Sequence, residues 1–219
     1  MTLYGIVGAG GCGREVMPVA VDMLQRTIKD EPFEVVFVVE GGGGSVVNGR
    51  RVLSDEEYLN AQGTKYFNVA IADHGPRERI ANKFLKAGCL PFSIQASNSI
   101  TLGPSTIGEG AILCPFSSIG ANAKIGKFFH SNVYSYVAHD CVIGDFVTFA
   151  PNVMCCGRVA IEDYAYIGAG ACIRQGTDQR PMVIGRGAVV GMGAVVTRSV
   201  APDTTVVGNP AGLLARRTA

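Results

Sequence analysis

Few side chains in this sequence are suited to chemistry near neutral pH. Of three histidines, His139 is followed directly by an acid, Asp140, at the end of a polar stretch from Phe128 to Asp140 that also holds Ser131 and Asn132. An imidazole titrates near neutrality and can take the proton from an attacking amine or hydroxyl. A second place is rich in glycine: Gly8-Ala9-Gly10-Gly11-Cys12-Gly13. Between a strand and a helix, this G-x-G-x-x-G spacing aims backbone N–H groups and a helix N-terminus at a phosphate. The plainer reading of the same glycines is a tight turn alone. Glu40 ends the apolar run 33–39, where an acid can accept from a ribose hydroxyl. His130 reads as a surface or interface side chain, and His74 as part of a turn before a helix. A catalytic zinc needs three protein ligands around one ion. Only His130 and His139 lie in the repeat described next, and at that separation they do not stack.

The element that must position His139 is a ladder with a period of six. It runs Ile107, Leu113, Ile119, Ile125, Ser131, Val137, Ile143, Phe149, Cys155, Ile161, Ile167, Ile173, and resumes at Ile184, Val190 and Val196. Only Ser131 is polar. Six fits neither an amphipathic helix nor an alternating strand. It fits a solenoid of short strands in which three hexads close one triangular coil, so that Ile107, Ile125, Ile143 and Ile161 stack. The residue after the ladder position is often glycine, as at Gly108, Gly120, Gly126 and Gly144, which we read as easing the corner. The residues between Gln175 and Met182 lengthen one hexad and are expected as a loop expelled from a corner. The tail Val206-Val207-Gly208-Asn209-Pro210-Ala211 is expected to leave the coil and end the stacking.

Ahead of the ladder, apolar runs alternate with helical segments. Strands are expected over 3–7, 33–39, 66–72 and 90–94. Helices are expected from Arg14 to Gln25, in a capped turn over 54–59, and from Arg77 to Ala87, stopping at Gly88. This predicts a small Rossmann-like parallel sheet over 1–97, the solenoid over 98–205 and a tail over 206–219. One mononucleotide-binding half suits a nucleotide head group better than a nicotinamide dinucleotide.

Composition excludes several classes. The net charge is +1 and no basic cluster exceeds Arg216-Arg217, read as a solvated terminus, so nucleic acid is not expected as a partner. No apolar run is long enough for a membrane span. Glycine-rich structure begins within the first ten residues, so no secretory signal is expected. Seven cysteines without framework spacing suggest reduced thiols in a cytoplasm.

The hexads, Val137-Ala138-His139-Asp140-Cys141-Val142-Ile143-Gly144-Asp145, Ala150-Pro151, Cys156-Gly157 and the tail Val-Val-Gly-Asn-Pro-Ala together resemble the left-handed parallel β-helix acyltransferases. With the glycine-rich domain, nearly the whole chain is similar to one branch: nucleotide-linked amino-sugar N-acetyltransferases and sialic acid O-acetyltransferases. The resemblance implies a homotrimer, acetyl-CoA as cosubstrate with no permanently bound cofactor and no metal, and a nucleotide sugar held through Gly10, Gly11, Cys12, Glu40, Gly41 and Ala72. It implies His139 as the base, Asp140 as the acid that raises its basicity, and Asn132 facing the acceptor. It implies Gly157 N–H at the thioester oxygen, and Thr148, Ala169 and Met192 along the coenzyme.

The chain departs from that pattern in places. Thr148 stands where a second histidine is common, Cys12 where the loop often has histidine, Gly41 where a second acid is common, and Ala72 where glycine is common. The expectation is N-acetylation of the 4-amino group of a nucleotide-linked amino-deoxy sugar, in bacterial glycan or O-antigen precursor synthesis. The acceptor would attack acetyl-CoA directly. The alternatives are O-acetylation of a sugar or sialic acid, and a metal hydrolyase of the γ-carbonic anhydrase kind.

Overall fold

The structure, a computed structural model, describes residues 1–214. Arg216 and Arg217 lie outside the described residues. The backbone divides into two compact units: residues 1–97 with 109–112, and residues 98–108 with 113 onward.

The first unit is a sheet of six strands flanked by helices. Its strands are β1 (Thr2–Val7), β2 (Phe33–Val39), β3 (Ser45–Val47), β4 (Arg50–Ser54), β5 (Lys65–Val69) and β6 (Leu90–Pro91), in the order β3-β4-β2-β1-β5-β6. Every neighbouring pair is parallel except β3–β4. The central strands are apolar because helices cover both faces; Ile6, Val36, Phe37 and Val38 are fully buried. The chain steps from β1 outward to β2 and β4, then crosses to β5 on the other side. The carboxyl ends of β1, β2 and β5 therefore flank a switch point, where such sheets bind ligands.

Several boundaries differ from expectation. Helix α1 (Gly11–Thr27) starts three residues before Arg14, with Gly10 as its N-cap, so the glycine-rich turn is itself the first helical turn. Helix α2 (Asp55–Asn60) has the expected cap: Ser54 and Glu57 form a reciprocal capping box. Helix α3 (His74–Lys86) begins before Arg77, because the Asp73 side chain accepts from the Gly75 N–H. β5 ends at Val69, short of Ala72. The fourth expected strand breaks after Pro91, which cannot donate to a ladder. Its remainder, β7 (Ile94–Gln95), bonds instead through the Ile94 N–H to Ala111 O. The β3–β4 hairpin carries no clear sequence signal, because Arg50 and Arg51 interrupt its apolar pattern.

The second unit is a three-sided parallel β-helix. On the first face Ile107, Ile125, Ile143, Ile161 and Ile184 pair in register. On the second, Ser131, Phe149, Ile167, Val190 and Val206 do so. On the third, Ile119, Val137, Cys155, Ile173 and Val196 do so. Ladder side chains fill one narrow core. Ser131 is fully buried too, and on the same face the Phe129 and Phe149 rings meet edge to face at 5.2 Å.

The corner glycines have a different cause from the one expected. After each ladder position from Ile107 to Ile167 the left-handed residue stands three later: Asn122, Asp140 and Arg158 on one edge, with φ of 61°, 57° and 56°. The glycine directly after the ladder is required by the next coil. A Cβ at Gly120 would stand 2.6 Å from the carbonyl carbon of Ala138, and one at Gly108 2.6 Å from that of Gly126. The extra residues leave the coil between Ile173 and Met182, as a loop on the edge between the third and first faces. The tail corrects another expectation. Thr205–Val207 still pairs in parallel with the second face, and only Gly212–Leu213 turns back antiparallel.

Candidate active site

The edge between the third and first faces carries His139. Its Nδ1 lies 2.7 Å from Asp140 Oδ2. A carboxylate oxygen only accepts, so Nδ1 holds the proton and Nε2 is the basic nitrogen. Nε2 has no hydrogen-bond partner among the described residues, and the side chain is about 44% exposed. Two hydrogen bonds hold Asp140, and a cation stands nearby. Asn122 Nδ2 donates to its Oδ1 at 3.0 Å, His139 donates to Oδ2, and Arg158 Nη2 stands 3.7 Å from Oδ2. These partners, His139 first and then Asn122, hold the Asp140 carboxyl below its ordinary range, with the Arg158 cation adding to the effect. Asp140 therefore stays ionised beside the imidazole.

Gly157 stacks one coil beyond His139. A Cβ there would lie 2.6 Å from both Cε1 and Nε2 of the ring. The Gly157 N–H donates to no protein acceptor among the described residues, while its carbonyl accepts from Gly176. A cavity of about 190 Å³ opens on the same edge, lined by Asp140, Val142, Arg158, Asp178 and Pro181 among others. The structure thus brings His139, Asp140 and Gly157 together.

It does not bring the other expected residues of this unit to them. Asn132 follows Ser131 onto the edge between the second and third faces, and its Oδ1 accepts from the Val133 N–H at 2.8 Å. Ala169 and Met192 stack on that same second edge, where Met192 is 81% exposed. Thr148 is buried on the second face, paired with His130. His130 and His139 are on different sides of the prism. Among the described residues no three His, Cys, Asp or Glu side chains gather as a metal site.

In the first unit the expected residues collect at the carboxyl ends of β1, β2 and β5. Gly8 makes the turn with φ of 108°, and a Cβ at Gly13 would stand 1.8 Å from Gly8 O, so that glycine allows the helix to approach the strand. Gly10 and Gly11 face open space. Cys12 is half-buried, and burial raises its thiol pKa. Glu40 already has a partner: Arg79 donates to both carboxylate oxygens, at 2.7 and 2.6 Å. The Gly41 N–H donates to Asp55 Oδ1 at 3.2 Å, and Lys83 pairs with Asp55 Oδ2. The backbone at Ala72 is held from beneath by Arg77, whose Nη1 donates to Ile71 O at 2.9 Å and Ala72 O at 3.2 Å. Arg77 is fully buried, and desolvation lowers its pKa to about 10, so it remains a cation.

Sequence reasoning missed Asn122, Arg158, Arg77 and Arg79. A signal existed for the first two: each stands eighteen residues, one coil, from Asp140. None existed for the arginines of α3.

No protein-family model matches the chain. It is 51% identical over 215 residues to the GDP-perosamine N-acetyltransferase of Escherichia coli O157:H7, an alignment covering 96% of each protein. Among solved structures it is similar to WeeI from Acinetobacter baumannii AYE, with a TM-score of 0.92 and 48% identity over 98% of this chain and 100% of that one. It is also similar to the acetyltransferase domain of PglB from Neisseria gonorrhoeae FA1090 in complex with acetyl coenzyme A, with a TM-score of 0.84 and 27% identity over 97% and 98%. The left-handed parallel β-helix that the resemblance implied is the fold of these neighbours. Among the described residues, no helix is long and apolar enough to cross a membrane.

Proposed function

The chain belongs to the family of sugar N-acetyltransferases built on hexapeptide repeats, and from that premise we propose its reaction and the residues that carry it. Acetyl moves from acetyl-CoA to the 4-amino group of a nucleotide-linked amino-deoxy sugar. GDP-perosamine is the first candidate, because the relative named for it aligns along 96% of both chains.

The amine attacks the thioester carbonyl, the new C–N bond forms, and the C–S bond then breaks to release coenzyme A. The proton lost by nitrogen passes to His139 Nε2. The observation that carries this reading is the 2.7 Å contact of His139 Nδ1 with Asp140, which leaves Nε2 without a partner among the described residues. Asp140 stabilises the imidazolium as it forms. A base so placed contributes roughly 10²–10⁴-fold. The Gly157 N–H is the donor for the developing oxyanion. In the first unit, Gly10, Gly11 and the N-terminus of α1 receive the phosphates, with Glu40, Gly41 and Ala72 near the nucleoside.

The working form is a homotrimer. In one chain, Asn132, Ala169 and Met192 stand on a different edge from His139, so a site using all of them draws on two copies. A cytoplasmic setting accords with seven free thiols.

The test is His139→Ala, assayed for coenzyme A release with GDP-perosamine. Turnover should fall by at least about 10²-fold, with GDP binding unchanged. Unaltered turnover would remove His139 from the chemistry.

A further inference from the structure

The loop between Ile173 and Met182 is tied to the His139 edge by the backbone bond from Gly176 to Gly157 O and by the side chain of Arg158. Arg158 Nε contacts Asp178 Oδ1 of the loop at 2.5 Å, while its Nη2 remains 3.7 Å from Asp140 Oδ2. Its backbone joins the same parts. The Arg158 N–H donates to His139 O at 3.1 Å, and its carbonyl accepts from Met182, where the loop returns to the coil. The oxygen that Arg158 approaches, Asp140 Oδ2, is the one that holds His139 Nδ1.

A guanidinium has several donors in one plane and takes a carboxylate as a fork when it can reach one. Here the exposed Asp178 draws it toward the loop, and the distance to Asp140 stays too long for a hydrogen bond. We infer that Arg158 is a positioning residue. With the loop seated, Asp178 holds the guanidinium and Asp140 is left to His139; with the loop released, the guanidinium closes on Asp140 and competes for Oδ2. Seating of the loop thereby sets whether the imidazole is oriented for proton removal. This inference rests on the reading of His139 as the base.

The test compares Asp178→Ala, Asp178→Glu and the double variant Asp178→Ala/Arg158→Gln with the wild type. Two signals are read: kcat for acetyl transfer from acetyl-CoA to GDP-perosamine, and the downfield proton resonance of His139 Nδ1–H without substrates, assigned by its loss in His139→Ala. Asp178→Ala should lose the resonance and drop kcat on the order of tenfold, the scale of coupling within one charged network. The double variant should regain both, because the competing cation is gone, and Asp178→Glu should keep both. A merely structural role for Asp178 would not be rescued by removing Arg158. Wild-type signals in Asp178→Ala, or a double variant as impaired as the single one, would overturn the inference. If His139→Ala kept turnover, the acyl-transfer reading would fail instead, and the resonance would still report on Arg158 separately.

Discussion

The His139 ring occupies the space that Gly157 leaves by having no side chain: a Cβ on Gly157 would be 2.6 Å from Nε2 and Cε1. The two residues are one coil apart, so the glycine is the floor on which the imidazole rests. Gly157→Ala should displace the ring with little harm to the coil, because Gly157 is not among the residues with positive φ. A shift of about 1 Å at a reacting group can cost up to about 10²-fold. We expect kcat to fall by about that factor, with the melting temperature changed little. A kcat equal to that of the wild type would mean that the ring position is not critical.

Asp140 has two tasks, as the partner of His139 and as a corner residue with φ of 57°. Aspartate and asparagine tolerate this region better than other side chains with a Cβ. Asp140→Asn and Asp140→Ala should both lower kcat. Only the alanine variant should also lose stability, by about 1 kcal/mol. Urea unfolding of the two variants side by side separates the roles; equal stability would contradict the corner argument.

Gly10 and Gly13 should respond in opposite ways. Alanine at Gly13 meets Gly8 O at 1.8 Å, an overpacking expected to cost about 1–3 kcal/mol or more. Alanine at Gly10 meets nothing within 4 Å, so the fold should stand while GDP binding weakens. Calorimetric titration with GDP beside thermal melts checks both. Undiminished binding in Gly10→Ala would argue that phosphate does not approach this turn.

The acid limb of stability should depend on the pairs Glu40–Arg79 and Asp55–Lys83. The hydrogen bond from Arg79 lowers the Glu40 carboxyl pKa, and that from Lys83 lowers Asp55. Carboxyls depressed in the folded state bind fewer protons there than in the unfolded chain. Their contribution is whole above the ordinary carboxylate range, near pH 4, and is lost as pH falls through the lowered values. Asp55→Asn should flatten part of the fall in melting temperature between about pH 5 and pH 3. A variant curve parallel to that of the wild type would show that Asp55 has no share in it.

The ladder of every sixth residue was readable because each hexad repeats the same local demand: one apolar side chain pointing inward. Its three-per-coil count also placed Ile107 over Ile125, as observed. His139 and Asp140 stood out since they are adjacent in the chain. What lay beyond reach came from contacts across coils or across the sheet. The engagement of Glu40 by Arg79 spans 39 residues, and neither residue announces the other. Asn132 drew attention as a polar residue in a polar stretch, yet the whole third face of the prism separates it from His139. The loop after Ile173 was foreseen as an insertion, but its link to the base through Asp178, Arg158 and Asp140 follows from the edge on which it emerges. Periodicity along a chain determines which side chains are buried. Only the closing of that chain into stacked triangular coils decides which polar ones meet, because stacking brings together residues a whole coil apart.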